Sequence, residues 1–565
     1  MSKINPKRAY AKEILEDFAN IGARGAPLSD GEHTPVNFRI REDGSLEKRC
    51  GWRTYDYFVE GNVRGMWQGV LNGNALRFAV CGNSVLFLRD SRRITVATLP
   101  TTTGNVNFFV YGNTLYLLDG NTLRVWEEKN YNFRVTEGYA PLYGSGWDPV
   151  RLGMVNEELN IFSNRLRVQY TASQPTTLFM LPFYAESIDC VKINGVKTSN
   201  YTFSSSLDSI TLGEAAYTVE IAFTMYLDNE AMVDLYAATQ AHPTQLGSVE
   251  RLLLYGTPRG QNLYMSTPVT TTMHLFSRSC YPNSDRLYFR ESDVMIVGDS
   301  TNPITTVCRD SQRLLAFHPL GAVSIRFPED EAPQYSALSS VPGCTVRGMD
   351  IAVGGNRYVL NSTGLFRLVH DPDSPDEIYS TPLGVSLPSD NPEMLSRLQV
   401  AYHPVHDEIW LCDPGDSNGY VRIYQLSGKH LYRFDHIHAS RMVTVDGLFG
   451  FFSDDEIRVF EEHLTTDGGE TFSATAETGW LHFGTPELKK RSLRASLLAY
   501  DAAGIVLTLE SEHRQCEISH AANAFSEHFL DVRVPLGRFR LIRAVIRDDG
   551  ALRPRISRLA LYANL

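Results

Sequence analysis

The chain has 565 residues, of which 43% are hydrophobic and 21% are charged, as is typical of soluble globular proteins. This length predicts about two to four domains. The net charge of −12 argues against a protein that grips nucleic acid through its phosphates. No run approaches the roughly 18 uncharged apolar residues that span a bilayer, and no apolar stretch follows residues 1–8. We therefore predict neither a membrane-spanning segment nor a signal peptide, and expect synthesis in a cytoplasm.

The first predicted element is a helix near the start of the chain. Apolar residues recur at helical spacing within residues 8–18. A stretch rich in glycine, alanine and proline follows, which predicts an irregular arm. Residues 1–36 are therefore assigned to an N-terminal helix and arm.

One short pattern recurs from residue 37 onward. Residues 80–90, 110–120 and 353–366 each contain a Gly-Asn turn, a short apolar strand, a polar turn and a second strand. Such a hairpin cannot bury its apolar face alone, so it must stack on copies of itself. The pattern predicts an all-β fold with a six- or seven-bladed β-propeller, in which more than a third of the residues are strand.

Two segments interrupt the propeller pattern. The Asn194-Gly195 dipeptide predicts a hairpin turn within a small inserted β-sandwich, and a short helix at 230–242 returns the chain to the propeller. The last segment contains four further apolar strands, which predict a terminal β-sandwich. The expected domains after the arm are a first propeller segment (37–172), the inserted β-sandwich (173–243), a second propeller segment (244–476) and the C-terminal β-sandwich (477–565).

Three groups of residues have the composition of a metal site but lack its spacing. Residues 371–377 contain four acids, yet two prolines stiffen a loop in which calcium binding needs a glycine, so a solvated loop is favoured over a cation site. His403 with His406, and His436 with His438, have no third ligand nearby in the sequence. The eight cysteines are far apart and several lie in apolar runs, which predicts buried reduced thiols. We predict no metal ion, no cofactor and no catalytic residue.

Residues 465–472 match the Asp-box pattern S/T-x-D-x-G-x-T-W/F of sialidase propellers. In that pattern the aspartate caps a hairpin turn and the aromatic residue packs in the blade. Asp467, Gly468 and Gly469 are therefore predicted to form a structural turn. Sialidases carry several copies and this chain has one, which favours a turn over the trace of a glycosidase.

The C-terminal segment is basic although the whole chain is acidic. Residues 489–558 contain thirteen Lys and Arg against eight Asp and Glu. The two interpretations are an ordinary solvated face and a docking surface for an acidic neighbour. Alternation in Arg538-Phe539-Arg540-Leu541 predicts a strand with one basic face and one inward face. The interface candidates are Lys489, Lys490, Arg491, Arg494, Arg538, Arg540 and Arg543.

Five phrases, in their order along the chain, resemble those of tail nozzle or hub proteins of short-tailed bacteriophages. The opening at 37–52 resembles the family's "N…DG.L.KRPG", with Cys50 where proline is common. Residues 253–266 look like its strand–Gly–loop–Asn–strand–Ser phrase, and residues 299–317 look like its "D…PIT…LLVF" segment. The remaining phrases are "GC…S..G.Y" at 343–366 and "TGW..FG…K..R" at 478–494. The resemblance covers roughly residues 35–565, and the N-terminal helix departs from it.

The resemblance implies a structural protein of the virion tail without enzymatic activity. Such proteins form a ring, commonly of six copies, below the portal and adaptor, and they carry tail fibres or spikes. Genomic DNA passes through the ring without specific binding, which suits an acidic chain that repels phosphates. Two alternatives remain open at this point. One is a propeller enzyme that acts on glycans, such as a depolymerase or sialidase-like protein, and the other is a receptor- or sugar-binding tail module.

Overall fold

The computed structural model describes residues 10–16, 18, 21, 35–89, 92–226, 230–298, 301–328, 332–371, 373–374, 377–385, 392–501, 504–519 and 527–564. Strands account for 55% of the chain and helices for 5%. The all-β propeller prediction is confirmed by this content and by repeated four-stranded antiparallel sheets. The chain divides into two compact units. We call residues 1–63, 362–365 and 382–565 the terminal unit, and residues 64–361 and 366–381 the central unit.

The chain begins with four strands of the terminal unit. They are β1 (Tyr10–Leu15), β2 (Phe38–Ile40), β3 (Leu46–Lys48) and β4 (Trp52–Tyr57).

The central unit opens with two four-stranded blades. The first contains β5 (Val63–Leu71), β6 (Asn74–Cys81), β7 (Ser84–Arg89) and β8 (Arg92–Thr98), and the second contains β9 (Asn107–Tyr111), β10 (Thr114–Leu118), β11 (Leu123–Glu127) and β12 (Asn132–Val135). Gly112 and Asn113 join β9 to β10 with φ angles of 55° and 57°, as the Gly-Asn turns predicted.

The inserted segment forms one six-stranded sheet with its own core. Its strands are β13 (Leu142–Trp147), β14 (Arg165–Met180), β15 (Ala185–Ile193), β16 (Val196–Thr198), β17 (Tyr201–Ser204) and β18 (Ser209–Met225). The long strands β14 and β18 pair in two stretches separated by register shifts. Both stretches contribute to a single hydrophobic cluster, in which the Tyr170 and Phe179 rings lie 5.4 Å apart. The Asn194-Gly195 turn has φ angles of 48° and 83° and joins β15 to β16 as predicted.

The central unit continues with three further blades and two helices. In chain order these elements are α1 (Glu230–Tyr236), β19 (Gln240–Leu246), β20 (Val249–Tyr255), β21 (Asn262–Met265), α2 (Thr271–Cys280), a short 3-10 helix (Glu291–Asp293), β22 (Val294–Ile296), β23 (Thr306–Asp310), β24 (Arg313–His318), β25 (Gly321–Arg326), β26 (Gln334–Ala337), β27 (Ile351–Val353), β28 (Asn356–Asn361), β29 (Gly364–His370) and β30 (Ile378–Pro382). Helix α2 was not predicted, and α1 is shorter than the helix predicted at 230–242.

The terminal unit holds two more blades. After α3 (Pro392–Arg397), the first contains β31 (Gln399–His403), β32 (Glu408–Cys412), β33 (Val421–Gln425) and β34 (His430–Phe434). The second contains β35 (Arg441–Val445), β36 (Leu448–Ser453) and β37 (Glu456–Phe460), and it takes β4 as its fourth strand. The described residues thus form seven four-stranded sheets of blade type, five of them in the central unit.

The C-terminal segment forms a two-sheet sandwich that includes strands from the start of the chain. Its own strands are β38 (Ala474–Glu477), β39 (Ser492–Tyr500), β40 (Ile505–Ser511), β41 (Gln515–Ser519), β42 (Glu527–Val534), β43 (Ile542–Asp548) and β44 (Arg555–Asn564). One sheet has the order β38-β43-β40-β41, and the other has the order β2-β3-β44-β39-β42 with β1 also on β44. One hydrophobic cluster contains residues of both sheets.

The prediction of a helix over residues 8–18 is wrong. Residues 10–15 form β1, which pairs antiparallel with β44 from Tyr10 opposite Asn564 to Leu15 opposite Leu559. A helix this short is marginal in water, whereas β44 supplies a partner for every backbone group that faces it. Residues 8, 9 and 17 and the arm at 22–27 lie outside the described residues.

The predicted boundaries also need correction. Residue 173 falls inside β14, because the inserted sheet begins with β13 at Leu142. The propeller resumes with β19 at Gln240 rather than at 244, and β38 of the C-terminal sandwich begins at Ala474 rather than at 477. Residues 38–48, which were assigned to the propeller, belong to the sandwich sheet.

Candidate interaction surface

The Asp467 turn is a tight hairpin whose carboxylate is bound to a buried arginine. The backbone N–H groups of Asp467 and Glu470 each donate to the other residue's carbonyl, at 2.8 and 2.9 Å. Gly468 and Gly469 have φ angles of 59° and 98°, a region that favours glycine. The Asp467 side chain does not cap this turn, because it pairs with the fully buried Arg49 at 2.5 and 2.8 Å. Asp467, Gly468 and Gly469 thus lie in a tight turn, and the capping role expected for Asp467 is corrected.

Arg49 is one of three buried cations in the opening phrase at 37–52. Its guanidinium lies 3.8 Å from the centre of the Phe472 ring, the aromatic residue of the Asp-box pattern. Lys48 pairs with Asp548 at 2.8 Å, and both side chains are buried. Gly51 permits the close approach of this segment to the turn, since a Cβ there would lie 1.9 Å from the Thr466 carbonyl oxygen. These residues join the opening phrase to the turn and to the sandwich, and sequence reasoning had missed that role.

Arg39 is the third buried cation and binds Glu408. Its Nε donates to Glu408 Oε1 at 2.6 Å, and Nη2 donates to Oε2 at 3.3 Å. Tyr432 OH and Trp410 Nε1 donate to the same carboxylate at 2.5 and 2.8 Å. Burial alone would raise the pKa of Glu408, but the Arg39 charge and the hydrogen bonds hold it below its usual value. Both the Tyr432 and Glu408 side chains are fully buried, so neither is accessible to a substrate.

Substitution of Asp467 by alanine is expected to lower the free energy of unfolding by about 2 kcal/mol, because the buried Arg49 charge loses two hydrogen bonds. From the sequence alone, the expected loss is that of one hydrogen bond in the turn, which is only roughly 1 kcal/mol. Chemical denaturation of the variant tests it. Glu470→Ala is the matched control, since Glu470 is exposed and contributes only backbone bonds to the turn. Equal losses of unfolding free energy in the Asp467 and Glu470 variants would contradict the role assigned to the ion pair.

Lys490 must be removed from the interface candidates. Its side chain is fully buried, and Nζ donates to the carbonyl oxygens of Thr485 and Arg540 at 2.6 and 2.9 Å. Burial lowers the pKa of this amine. Lys490 therefore stabilises the inside of the sandwich and does not face a partner.

Two other candidates are partly neutralised by carboxylates of the same sandwich. Arg494 is exposed and pairs with Asp531 across β39 and β42, with Nε 2.5 Å from Oδ1. Arg543 donates to Glu510 at 2.9 and 2.5 Å, across β43 and β40. These pairs reduce the net charge that either arginine presents to a neighbour.

The remaining four candidates lie around one backbone bridge. Lys490 and Phe539 exchange N–H···O bonds of 2.7 and 3.1 Å, which places the neighbours of each residue opposite one another. These four neighbours are exposed and have no carboxylate at ion-pair distance among the described residues. We call them the basic patch: Lys489, Arg491, Arg538 and Arg540.

The basic patch has a fifth cation and two nearby acids. A Cβ on Gly537 would lie 3.8 Å from Arg514 Nη1, so Arg514 also approaches the patch, although the sequence did not single it out. Glu512 accepts the backbone N–H of Arg540 at 3.0 Å, and the charges of Glu487 and Glu512 both act on Lys490. The predicted alternation at 538–541 is present, since Phe539 is buried between exposed arginines. The strand itself begins later than predicted, at Ile542.

The other groups considered from the sequence show no metal site. Within the described ranges no three His, Cys, Asp or Glu side chains converge as metal ligands do. In the acidic loop, Pro372, Pro375 and Asp376 lie outside the described residues. His406 binds Glu462 at 2.6 Å, and His436 is exposed. None of the eight cysteines, all of which are described, forms a disulfide, and seven of them are buried.

Comparison with family models gives no match, and comparison with curated proteins gives none either. Solved structures similar to this chain include the AfRom2 CNH domain, with 8% identity and a TM-score of 0.35 over 72% of this chain and 97% of that one. The WD40 domain of SCAP from fission yeast has 11% identity and a TM-score of 0.32 over 75% and 95%. A glycoside hydrolase has 10% identity and a TM-score of 0.23 over 90% and 97%. None of these likenesses carries an argument about what this chain does.

Proposed function

We propose that this chain is a structural protein of a bacteriophage tail, where copies of it, six in number, form a nozzle or hub ring around the DNA channel. Its partners in the virion tail are other copies, head–tail adaptor or portal-side proteins, and tail fibres or spikes. The five ordered phrases support this proposal, and so does the net charge of −12, because a channel that DNA passes through should repel phosphates.

The observation that carries the proposal is the basic patch. Four exposed cations lie together on a chain that is acidic overall, and none of them has a carboxylate at ion-pair distance among the described residues. Arginine forms forked contacts with carboxylates, so the patch fits an acidic surface on a neighbouring virion protein. The backbone of the patch is anchored to the sandwich, because Phe539 between the two arginines belongs to the core that both sheets share. None of the helices in the described residues is long and apolar enough to cross a bilayer.

Reversal of Arg538 and Arg540 to glutamate is expected to leave the chain folded but to prevent its incorporation into particles, because like charges repel across an interface. The measurement is the amount of this chain in purified particles when the variant is the only source of the protein. Arg151→Glu with Arg347→Glu is the matched control, since both of those arginines are exposed in the central unit. Normal incorporation of the Arg538/Arg540 variant would contradict the assembly role.

Ring formation can be tested separately by class averages of the purified protein. Six-fold rings are the expected result. Monomers or trimers as the only species would contradict the ring, and hydrolysis of a glycan by the purified chain would favour the enzyme alternative instead.

A further inference from the structure

A cavity of about 430 Å³ lies in the central unit between a blade hairpin and helix α2. Trp126, Lys129 and Arg134 belong to the β11–β12 hairpin and line one side. His274 and Arg278 of α2 line the other side, together with Arg286 from the segment that follows α2. Its volume is within the range of sites that bind small molecules. We call this space the cationic cavity, because four of these six side chains carry a permanent positive charge.

The positive charge of the cationic cavity acts on its histidine. His274 Nε2 lies 2.9 Å from the Ser284 carbonyl oxygen and donates a hydrogen bond to it. Burial lowers the pKa of His274, and the charges of Arg286, Arg278 and Arg134 lower it further. The histidine is therefore neutral at neutral pH and does not add to the charge of the wall.

Three carboxylates, those of Glu127, Glu128 and Asp285, also line the cavity, and each already has other partners. Asp285 accepts the backbone N–H groups of Glu137, Gly138 and Leu287 at 3.1–3.2 Å. Glu128 accepts a hydrogen bond of 2.5 Å from the Asn74 amide.

Glu127 accepts a hydrogen bond from Asn130 at 2.6 Å and lies 3.5 Å from Arg134 Nε. By contrast, Arg278 and Arg286 have no carboxylate within 4 Å among the described residues. Arg278 donates to the Pro282 carbonyl oxygen at 3.0 Å, and Arg286 donates to Thr271 Oγ1 at 3.4 Å. Two guanidinium groups at the cavity thus retain unused donors.

Two buried atoms of the cavity wall lack hydrogen bonds, and both are donors. Within the described part of the chain, Trp126 Nε1 and Arg134 Nε have no hydrogen-bond acceptor. Trp126 is 5% exposed, so bulk water does not satisfy its indole N–H. Both atoms are shielded within the wall, and Arg134 Nε already lies 3.5 Å from Glu127 Oε1, so the donors left for a ligand are those of Arg278 and Arg286. A negatively charged ligand with many hydrogen-bond acceptors therefore fits this wall.

We propose that the cationic cavity binds a small oxyanion ligand that bears carboxylate or phosphate groups. The forked guanidiniums of Arg278 and Arg286 match the two oxygens of either group, and Lys129 supplies a further point charge. Trp126 lies in the same wall, so its fluorescence can report ligand binding. This inference is independent of the role in a phage tail, since it uses no residue of the basic patch.

Binding can be measured on the full chain with inorganic phosphate, citrate and glucuronate at constant ionic strength. The two readouts are tryptophan fluorescence and the melting temperature, which rises when a ligand binds the folded state. Saturable binding of at least one probe below about 10 mM is expected. A response to phosphate alone assigns the site to phosphate groups, and a response to citrate or glucuronate assigns it to carboxylates. Trp126→Phe should remove the fluorescence change while the melting shift remains.

Arg278→Gln with Arg286→Gln is expected to weaken binding at least about tenfold. Glutamine preserves a donor toward Pro282 and Thr271, and Arg278→Gln alone serves if the double variant does not fold, because Arg278 is exposed. Arg151→Gln with Arg347→Gln is the matched control for the change in net charge. The proposal is overturned by the absence of binding of all three probes, by unchanged binding in the Arg278 variants, or by equal loss in the control.

Discussion

Replacement of Arg39 by methionine is expected to lower the free energy of unfolding of the terminal unit by about 4 kcal/mol. Both side chains of the Arg39–Glu408 pair are almost completely buried, at 4% and 0% exposure. Removal of the arginine leaves a carboxylate in the core with only Tyr432 and Trp410 as donors. Loss of one partner of a buried pair costs roughly 3–5 kcal/mol, because the remaining charge is uncompensated. Denaturant unfolding of the full chain, followed by far-UV circular dichroism and fluorescence, measures the change.

Two controls separate the ion pair from the loss of a side chain. Arg41→Met removes an arginine two residues away, whose pair with Glu47 is partly exposed, and it should cost less than about 1 kcal/mol. Arg39→Met combined with Glu408→Met removes both charges and should recover part of the stability. If Arg39→Met costs no more than Arg41→Met, the buried pair does not have the role assigned to it.

Acid should destabilise the terminal unit through His403. Its ring stacks on Phe449 at 4.4 Å, and Nδ1 is buried without a hydrogen-bond partner among the described residues. Burial, with the charges of His406 and Arg39, lowers the pKa of His403 from 6.5 to about 4, against the opposing charge of Glu408. Between those two values the unfolded chain binds a proton that the folded chain does not. Stability is therefore highest above about pH 6.5 and falls by about 3 kcal/mol as the pH drops toward 4.

His403→Phe is expected to remove this acid sensitivity. Phenylalanine preserves the stack on Phe449, so the free energy of unfolding at pH 7.5 should stay within about 1 kcal/mol of the original chain. At pH 5 the variant should be the more stable by about 2 kcal/mol. The exposed His513, replaced by glutamine, is the control and should leave the pH dependence unchanged. Parallel pH profiles for the original chain and His403→Phe would contradict the assignment.

Features with local causes could be predicted from the sequence, and features with distant causes could not. The turns at Gly112-Asn113 and Asn194-Gly195 need positive φ angles, which glycine and asparagine supply wherever they occur. These turns lie at the ends of strands with alternating apolar residues, so the blades could be predicted from the local sequence pattern. Strand β1 was predicted as a helix because its partner β44 lies more than five hundred residues away.

The same distinction applies to the candidate site. Exposure of Arg538 and Arg540 followed from alternation around Phe539, which is local. Lys490 has the same sequence environment as Lys489, yet it is buried, because carbonyl oxygens of Thr485 and Arg540 converge on its amine. Burial of Arg39 and Arg49 depends on carboxylates 369 and 418 residues further along the chain. Sequence pattern alone gives no indication of such pairings.

The sharing of one sheet by β3 and β44 has a consequence for synthesis on the ribosome. Lys48 and its partner Asp548 are separated by 500 residues. At about 5–20 residues per second, the amine leaves the ribosome roughly 25–100 s before its carboxylate does. The central unit needs no such partner and can fold while translation continues. Phe38 and Ile40, in contrast, cannot be buried until the C-terminal strands that form their core have been synthesised. We therefore expect nascent chains stalled before β44 to protect the central unit from protease while residues 35–63 are still cleaved.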